Sequence, residues 1–153
     1  MTTWNPADCS ANVSLSPDNR VATLTSGTAA AVRSTTSKTS GKTYFELPAV
    51  VANNTGYGIV PASAALGSVW GSSLGFQCFN SGSVYFNGTS QAIGLGVFAS
   101  GDIACFAIDL VNARGWVRRN GGNWNQSGTA NPATNTGGVD ISALFPTNAA
   151  FAF

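Results

Sequence analysis

The chain is 153 residues long and only 8% charged, with seven Lys plus Arg, six Asp plus Glu and no His. Soluble domains ordinarily carry about 25% charged residues, so the polar surface here has to come from Ser, Thr, Asn and Gly. A net charge of +1 offers no electrostatic footprint for nucleic acid or an anionic membrane. The absence of His excludes Ser-His-Asp and Cys-His nucleophile systems.

The length fits a single domain over residues 1–153. The opening Met1-Thr2-Thr3-Trp4-Asn5-Pro6 has no basic region before an apolar run, so no secretory leader is read there. No window repeats apolar residues at i, i+3, i+4 and i+7, so little or no helix is expected. Short alternating runs predict strands instead, in the order Val13–Leu15, Val21–Thr25, Ala30–Arg33, Thr43–Val51 and Gly56–Val60. They continue with Leu74–Phe79, Ser83–Phe86, Ile103–Leu110, Trp116–Arg119 and Ala149–Phe153. Pro17-Asp18-Asn19, Ser40-Gly41, Asn53-Asn54, Asn80-Ser81-Gly82, Asn87-Gly88 and Asn120-Gly121-Gly122 supply the turns between them. Many short strands at this spacing imply an all-β antiparallel sandwich or barrel.

Within Thr43-Tyr44-Phe45-Glu46-Leu47, Phe45 and Leu47 share one face while Tyr44 and Glu46 share the other. In the 103–110 strand, Ala104, Phe106, Ile108 and Leu110 share a face, and Ile103, Cys105 and Ala107 line the opposite one, ending at Asp109. Apolar groups on both faces imply a central strand covered on both sides, or one face buried against a partner. The long Gly/Asn/Thr/Pro stretch from Asn123 to Ser142 reads as a loop that is functional or pinned to the domain. The terminal Phe151-Ala152-Phe153 reads as a strand with an exposed edge, or one awaiting a partner strand or further chain.

Several of these runs, taken in order, resemble the SPRY-type, concanavalin A-like domains of bacteria and bacteriophages. Gly41-Lys42-Thr43-Tyr44-Phe45-Glu46-Leu47 is similar to that family's G-K-x-Y-F-E-hydrophobic strand. Gly101-Asp102-Ile103 through Asp109-Leu110, then Gly115-Trp116-Val117-Arg118-Arg119-Asn120-Gly121, resemble its next two strands and their turn. Leu144-Phe145-Pro146 is similar to the entry into a late strand. Trp4-Asn5-Pro6-Ala7-Asp8 with Val13–Ser16, and the loop from Asn123 to Asp140, resemble the bacterial and phage members. The resemblance implies an antiparallel two-sheet β-sandwich that binds protein or carbohydrate through its loops without catalysis. It also implies a further strand after the Phe-Pro segment, so the domain is expected to lack its last strand, to swap it with a neighbour or to be cut short of it.

The carboxylates Asp102 and Asp109 sit seven residues apart in one strand and project to opposite faces, so they form no general acid/base pair. Glu46 beside Tyr44 is expected to be a buried or half-buried hydrogen-bonding residue. Cys9, Cys78 and Cys105 form no CxxC pair, so neither a metal site nor any cofactor is expected. Cys78 and Cys105 read as small core residues and Cys9 as the more exposed thiol. Trp116 reads as core, Trp4 as a pin for the N-terminal segment, and Arg114, Arg118 and Arg119 as a solvated basic hairpin. For ligand binding, loop aromatics are the natural anchors, which singles out Tyr57, Trp70 and Trp124, with Asn123 beside the last.

The function expected from these features is a non-enzymatic binding or structural module. Its first placement is the virion of a bacteriophage, as a decoration, fibre or receptor-binding protein in an oligomer or larger assembly. Its partners there would be other virion or surface proteins. The alternative is a lectin-like, carbohydrate-binding adhesin on a bacterial cell surface, with a cell-surface glycan as partner. Neither placement involves nucleic acid or membrane insertion.

Overall fold

The computed structural model describes residues 2–27, 30–49, 55–66, 74–146 and 151–152. Among these residues fourteen strands follow one another: β1 (Trp4–Cys9), β2 (Val13–Leu15), β3 (Ala22–Leu24), β4 (Val32–Ser34), β5 (Ser37–Lys38), β6 (Lys42–Pro48) and β7 (Gly56–Pro61). They continue as β8 (Phe76–Phe79), β9 (Ser83–Phe86), β10 (Thr89–Gly94), β11 (Ile103–Asp109), β12 (Arg114–Arg119), β13 (Val139–Asp140) and β14 (Phe151–Ala152). No α-helix occurs among the described residues, and a 3-10 turn spans Trp124–Gln126. The architecture is an antiparallel sandwich, as the alternation of the sequence implies.

One layer is a six-stranded sheet in the order β10-β9-β8-β7-β14-β5, and the other a four-stranded sheet in the order β13-β12-β11-β6. The two inner faces meet in one core. Ile59, Phe76, Cys78, Val84 and Phe86 come from the larger sheet, and Ala104, Phe106, Ile108 and Val117 from the smaller. The Phe76 and Phe106 rings cross the interface edge to face at 5.9 Å, and Phe45 stacks on Phe106 at 5.1 Å. Gly115 permits this approach, because a Cβ there would lie 2.8 Å from the Phe76 ring. Phe145, Ile141, Leu95 and Phe98 arrive from loops and close the ends of the core.

At the N-terminus β1 pairs with β4 and β2 with β3. Arg33 on β4 forks onto Asp8 of β1 (2.6 and 2.9 Å) and donates to the Pro61 and Ala64 carbonyls, which ties this ribbon to β7. Trp4 opens β1 half-buried, and its N–H donates to the Asn19 carbonyl.

Four strands escape the sequence pattern. β1 contains Pro6 and pairs irregularly between Trp4 and Cys9, β5 and β13 are two residues each, and β10 is a polar strand at the sheet edge. Several ends also move: β6 closes at Pro48 and β8 opens at Phe76, whereas β12 opens two residues early at Arg114. The 3-10 turn is the described exception to a chain read without helix.

Three expectations change in placement. β14 is not an edge, since β7 and β5 pair with its two sides. Trp116 is buried, yet on the face of β12 away from the sandwich core, in register with Ala107. Cys105 likewise occupies that outer face, whereas Cys78 lies in the core, where burial pushes its thiol pKa up. Cys9 is the half-buried thiol of the three.

Candidate functional site

The registers β11–β6 and β11–β12 arrange the outer face of the smaller sheet in three rows: Lys42-Asp109-Arg114, Tyr44-Ala107-Trp116 and Glu46-Cys105-Arg118. Side chains in a row stand as cross-strand neighbours, so each row is a contact set fixed by alternation alone. The middle row holds a small residue between two large rings. That profile leaves a trough over Ala107.

The chain itself covers the β12 side of this face. Asn125, at a positive φ of 48°, accepts a hydrogen bond from the Val117 N–H (2.9 Å) and donates to the Gly137 carbonyl (2.9 Å). Its carboxamide thus takes the place of a neighbouring strand beside β12. Trp116 Nε1 donates to the Thr136 carbonyl at 2.8 Å, and Gly138 lies so close that a Cβ would meet the indole at 2.6 Å. Asn131 and Thr136 bridge each other, and Asn131 Oδ1 accepts from the Ala133 N–H at 2.9 Å, which sets Pro132-Ala133 at the tip of a tight turn.

The result is a shallow cleft of about 290 Å³ with Ala107, Ile108 and Trp116 as its floor and Asp109 at one end. Lys42, Thr43 and Tyr44 form one wall, and Pro132 and Ala133 the other. Its size falls near the lower end of ligand sites, about 300 Å³. Such a space fits one side chain or a few residues of a partner.

Both ends of the cleft carry polar groups. At one, Asp109 is buried with Lys42 Nζ 3.6 Å away. Burial acts to raise the Asp109 pKa, but hydrogen bonds from the Asn112 side chain and the Asn112 and Val111 amides, with Lys42, hold it below the ordinary value. At the other end the Tyr44 hydroxyl donates to Glu46, and burial together with that bond pushes the phenol above its ordinary value. Tyr44 therefore remains a hydrogen-bond donor at neutral pH. The residue is still 49% exposed.

Arg118 and Trp124 build the neighbouring surface. The guanidinium lies 4.3 Å from the Trp124 ring centroid, and Tyr44 meets the same indole edge-on at 6.2 Å. The Arg118 Nε is buried without a hydrogen-bond partner among the described residues, so the stacking holds the group in place. Glu46, in the same row, is exposed, and this corrects its expected burial; the hydrogen bond to Tyr44 is the part that holds.

The residues singled out by sequence do not converge. Trp124 is half-buried and Asn123 exposed beside it at this outer face. Tyr57, on β7, packs against the core on the opposite sheet with its ring 6.0 Å from Phe98. Trp70, and the Asn53-Asn54 turn, lie outside the described residues. Tyr44 and the Pro132-Ala133 turn are the cleft residues that sequence reasoning passed over. The signal was present in the alternation of β6, where Tyr44 opposes the core-facing Phe45 and Leu47.

Elsewhere the ionisable groups serve turns. Asp102 accepts from the Ala99 N–H (2.8 Å) and Asn120 Nδ2 (2.7 Å), bonds that lower its pKa, with Arg119 3.8 Å away. Arg119 also donates to the Val97 carbonyl, and Arg114 pairs with Asp140 at 3.3 Å. The three arginines therefore point to three different partners rather than to one basic patch. Among the described residues no three His, Cys, Asp or Glu side chains gather as metal ligands.

This arrangement is an antiparallel two-sheet β-sandwich with a partly covered outer face on the smaller sheet. Among solved structures, the SPRY domain of human HERC1 matches with a TM-score of 0.68 at 21% identity, over 79% of this chain and 77% of that one. The likeness shows the fold. No protein-family model matches the chain, and no curated protein does.

Proposed function

We propose that this chain is a non-catalytic binding and structural module of a bacteriophage particle, a decoration, fibre or receptor-binding protein. It holds a protein partner in the cleft between Tyr44 and the Pro132-Ala133 turn. The observation that carries the reading is the trough over Ala107, apolar on its floor and bounded by Lys42 with Asp109 at one end and Tyr44 with Glu46 at the other. Apolar ground with a few oriented polar groups at its rim is the usual form of a recognition site. The SPRY fold agrees with a binding role, and a surface of few charges suits close packing among neighbours in an assembly.

A photo-reactive phenylalanine analogue placed at Tyr44, followed by mass spectrometry of purified particles, tests both parts. The expected product is one crosslink from position 44 to a single virion protein. Particles that lack the chain altogether would remove the virion placement, and particles that contain it without a crosslink would remove the cleft.

A second reading, a carbohydrate-binding adhesin at the bacterial surface, draws on the exposed Tyr44 ring beside Trp124 and Asn123. A glycan array repeated with Tyr44→Ala and Trp124→Ala decides it: no signal from the unmodified chain ends that reading.

A further inference from the structure

β6 is the last strand of its sheet, and among the described residues only β11 pairs with it. The direction of its remaining backbone groups follows from the register. Leu110 N–H donates to the Gly41 carbonyl (3.0 Å) and Ala49 N–H to the Asp102 carbonyl (2.7 Å), at the two ends of a ladder that runs unbroken between them. Hydrogen-bonded and non-hydrogen-bonded pairs alternate in an antiparallel ladder. The odd-numbered residues of β6 thus turn their amides toward β11, and Lys42, Tyr44 and Glu46 turn theirs toward the free edge. Pro48 offers that edge a carbonyl but no N–H.

We infer that this edge pairs antiparallel with the same edge of a second copy, across a two-fold axis at Tyr44, joining two four-stranded sheets into one. In this register Lys42 stands opposite Glu46 of the second copy, twice over, and Tyr44 stands opposite itself. All three outward-facing residues fall in hydrogen-bonded positions. The exposed Lys42 ammonium reaches the second copy's carboxylate while Asp109 remains 3.6 Å away on its own chain. On the inner side Thr43 meets Phe45, which covers part of the half-buried rim formed by Phe45 and Leu47.

Neighbouring registers are worse. An axis at Phe45 sets Lys42 against Pro48, which has no N–H to give, and separates Lys42 from Glu46. A shift by one residue in the pairing sum puts outward amides opposite inward ones, and the ladder cannot form. Lys and Pro at strand ends are the ordinary means of keeping an edge from pairing indiscriminately. Here they confine pairing to residues 42–46, and the two-fold closes the assembly at a dimer. The contact is a single strand wide, so association is weak in dilute solution and strengthened where copies are held close together.

Sedimentation equilibrium of the whole chain, in reducing buffer so that Cys9 cannot link copies, reads this directly. The expected result is a reversible monomer–dimer equilibrium, together with amide-exchange protection at Tyr44 and Glu46 that grows with concentration. Glu46→Lys sets lysine against lysine and weakens the dimer about tenfold or more, and Lys42→Glu with Glu46→Lys together restores it. Thermal melts confirm that each variant is folded. A chain that stays monomeric up to millimolar concentration overturns the inference. So does a dimer indifferent to Glu46→Lys, or one in which Tyr44 and Glu46 exchange at a rate independent of concentration.

Discussion

The two faces of the four-stranded sheet are held by different physics. On the inner face, Phe45, Phe106, Ile108 and Val117 pack against Phe76 and its neighbours, and shape and burial decide everything. On the outer face, Trp116 is just as well removed from water, but a loop covers it through Thr136 and Gly138 and is tied to β12 by Asn125. The inner face is nonlocal packing between sheets; the outer is a set of directed hydrogen bonds from one segment. A recognition site belongs on the second kind of surface. It can leave a trough open without opening the core.

The largest test of this contrast lies at Phe106. Replacement by Ala removes a fully buried ring that stacks on Phe45 and meets Phe76 edge to face, and the expected loss is about 3–5 kcal/mol in chemical denaturation. A loss below about 1 kcal/mol would mean that the two sheets do not meet there. Asn125→Ala probes the outer face. It leaves the Val117 amide without its acceptor and is expected to cost about 1–3 kcal/mol. Amide exchange should quicken at Val117, while Phe106 and Ile108 keep their protection. Equal loss of protection on both faces would show that the loop and the core are one cooperative unit.

The inner face was legible in the sequence because alternation is a local signal. Phe45 with Leu47, and Ala104 with Phe106 and Ile108, have one physical reading at a period of two. The outer face was only half legible. Apolar residues on both sides of β11 announced a cover, but the chain from 123 to 138 carries no periodicity. Its Asn125 acts through a side chain that imitates a strand. Asn87-Gly88 was read as a turn, but not as the hairpin turn it is. Both residues have positive φ and join Phe86 directly to Thr89, so the pair required a strand where β10 lies. Asn120-Gly121 shows the reverse. Asn120 also has positive φ, yet its side chain turns back to the Ile103 amide and Asp102, and no hairpin follows.

Acid separates the faces more gently. Asp109 anchors the β11–β12 turn, and its pKa in the folded chain lies below the ordinary value of about 3.9. A depressed folded pKa contributes stability that is present above the unfolded value and lost as pH falls through the folded one. The melting temperature of the native chain should therefore decline below about pH 4, and Asp109→Asn should flatten that decline. If the variant retains the full acid sensitivity, the other lowered carboxylates, Asp18, Asp102 and Asp140, account for it instead.

The smallest expected effect on stability is at Tyr44, and the comparison depends on it most. The residue is half exposed and its hydroxyl bonds to Glu46 on the same strand, so Tyr44→Ala removes little that folding requires. The change in unfolding free energy should stay within about 0.5 kcal/mol. The same substitution takes away one wall of the cleft and the ring that meets Trp124 edge-on, so partner binding should fall well beyond any change in stability. A calorimetric titration beside a denaturation curve separates the two. If Tyr44→Ala instead destabilises the chain as much as Asn125→Ala does, the outer face is cover from end to end, and the trough over Ala107 is no more than a gap in it.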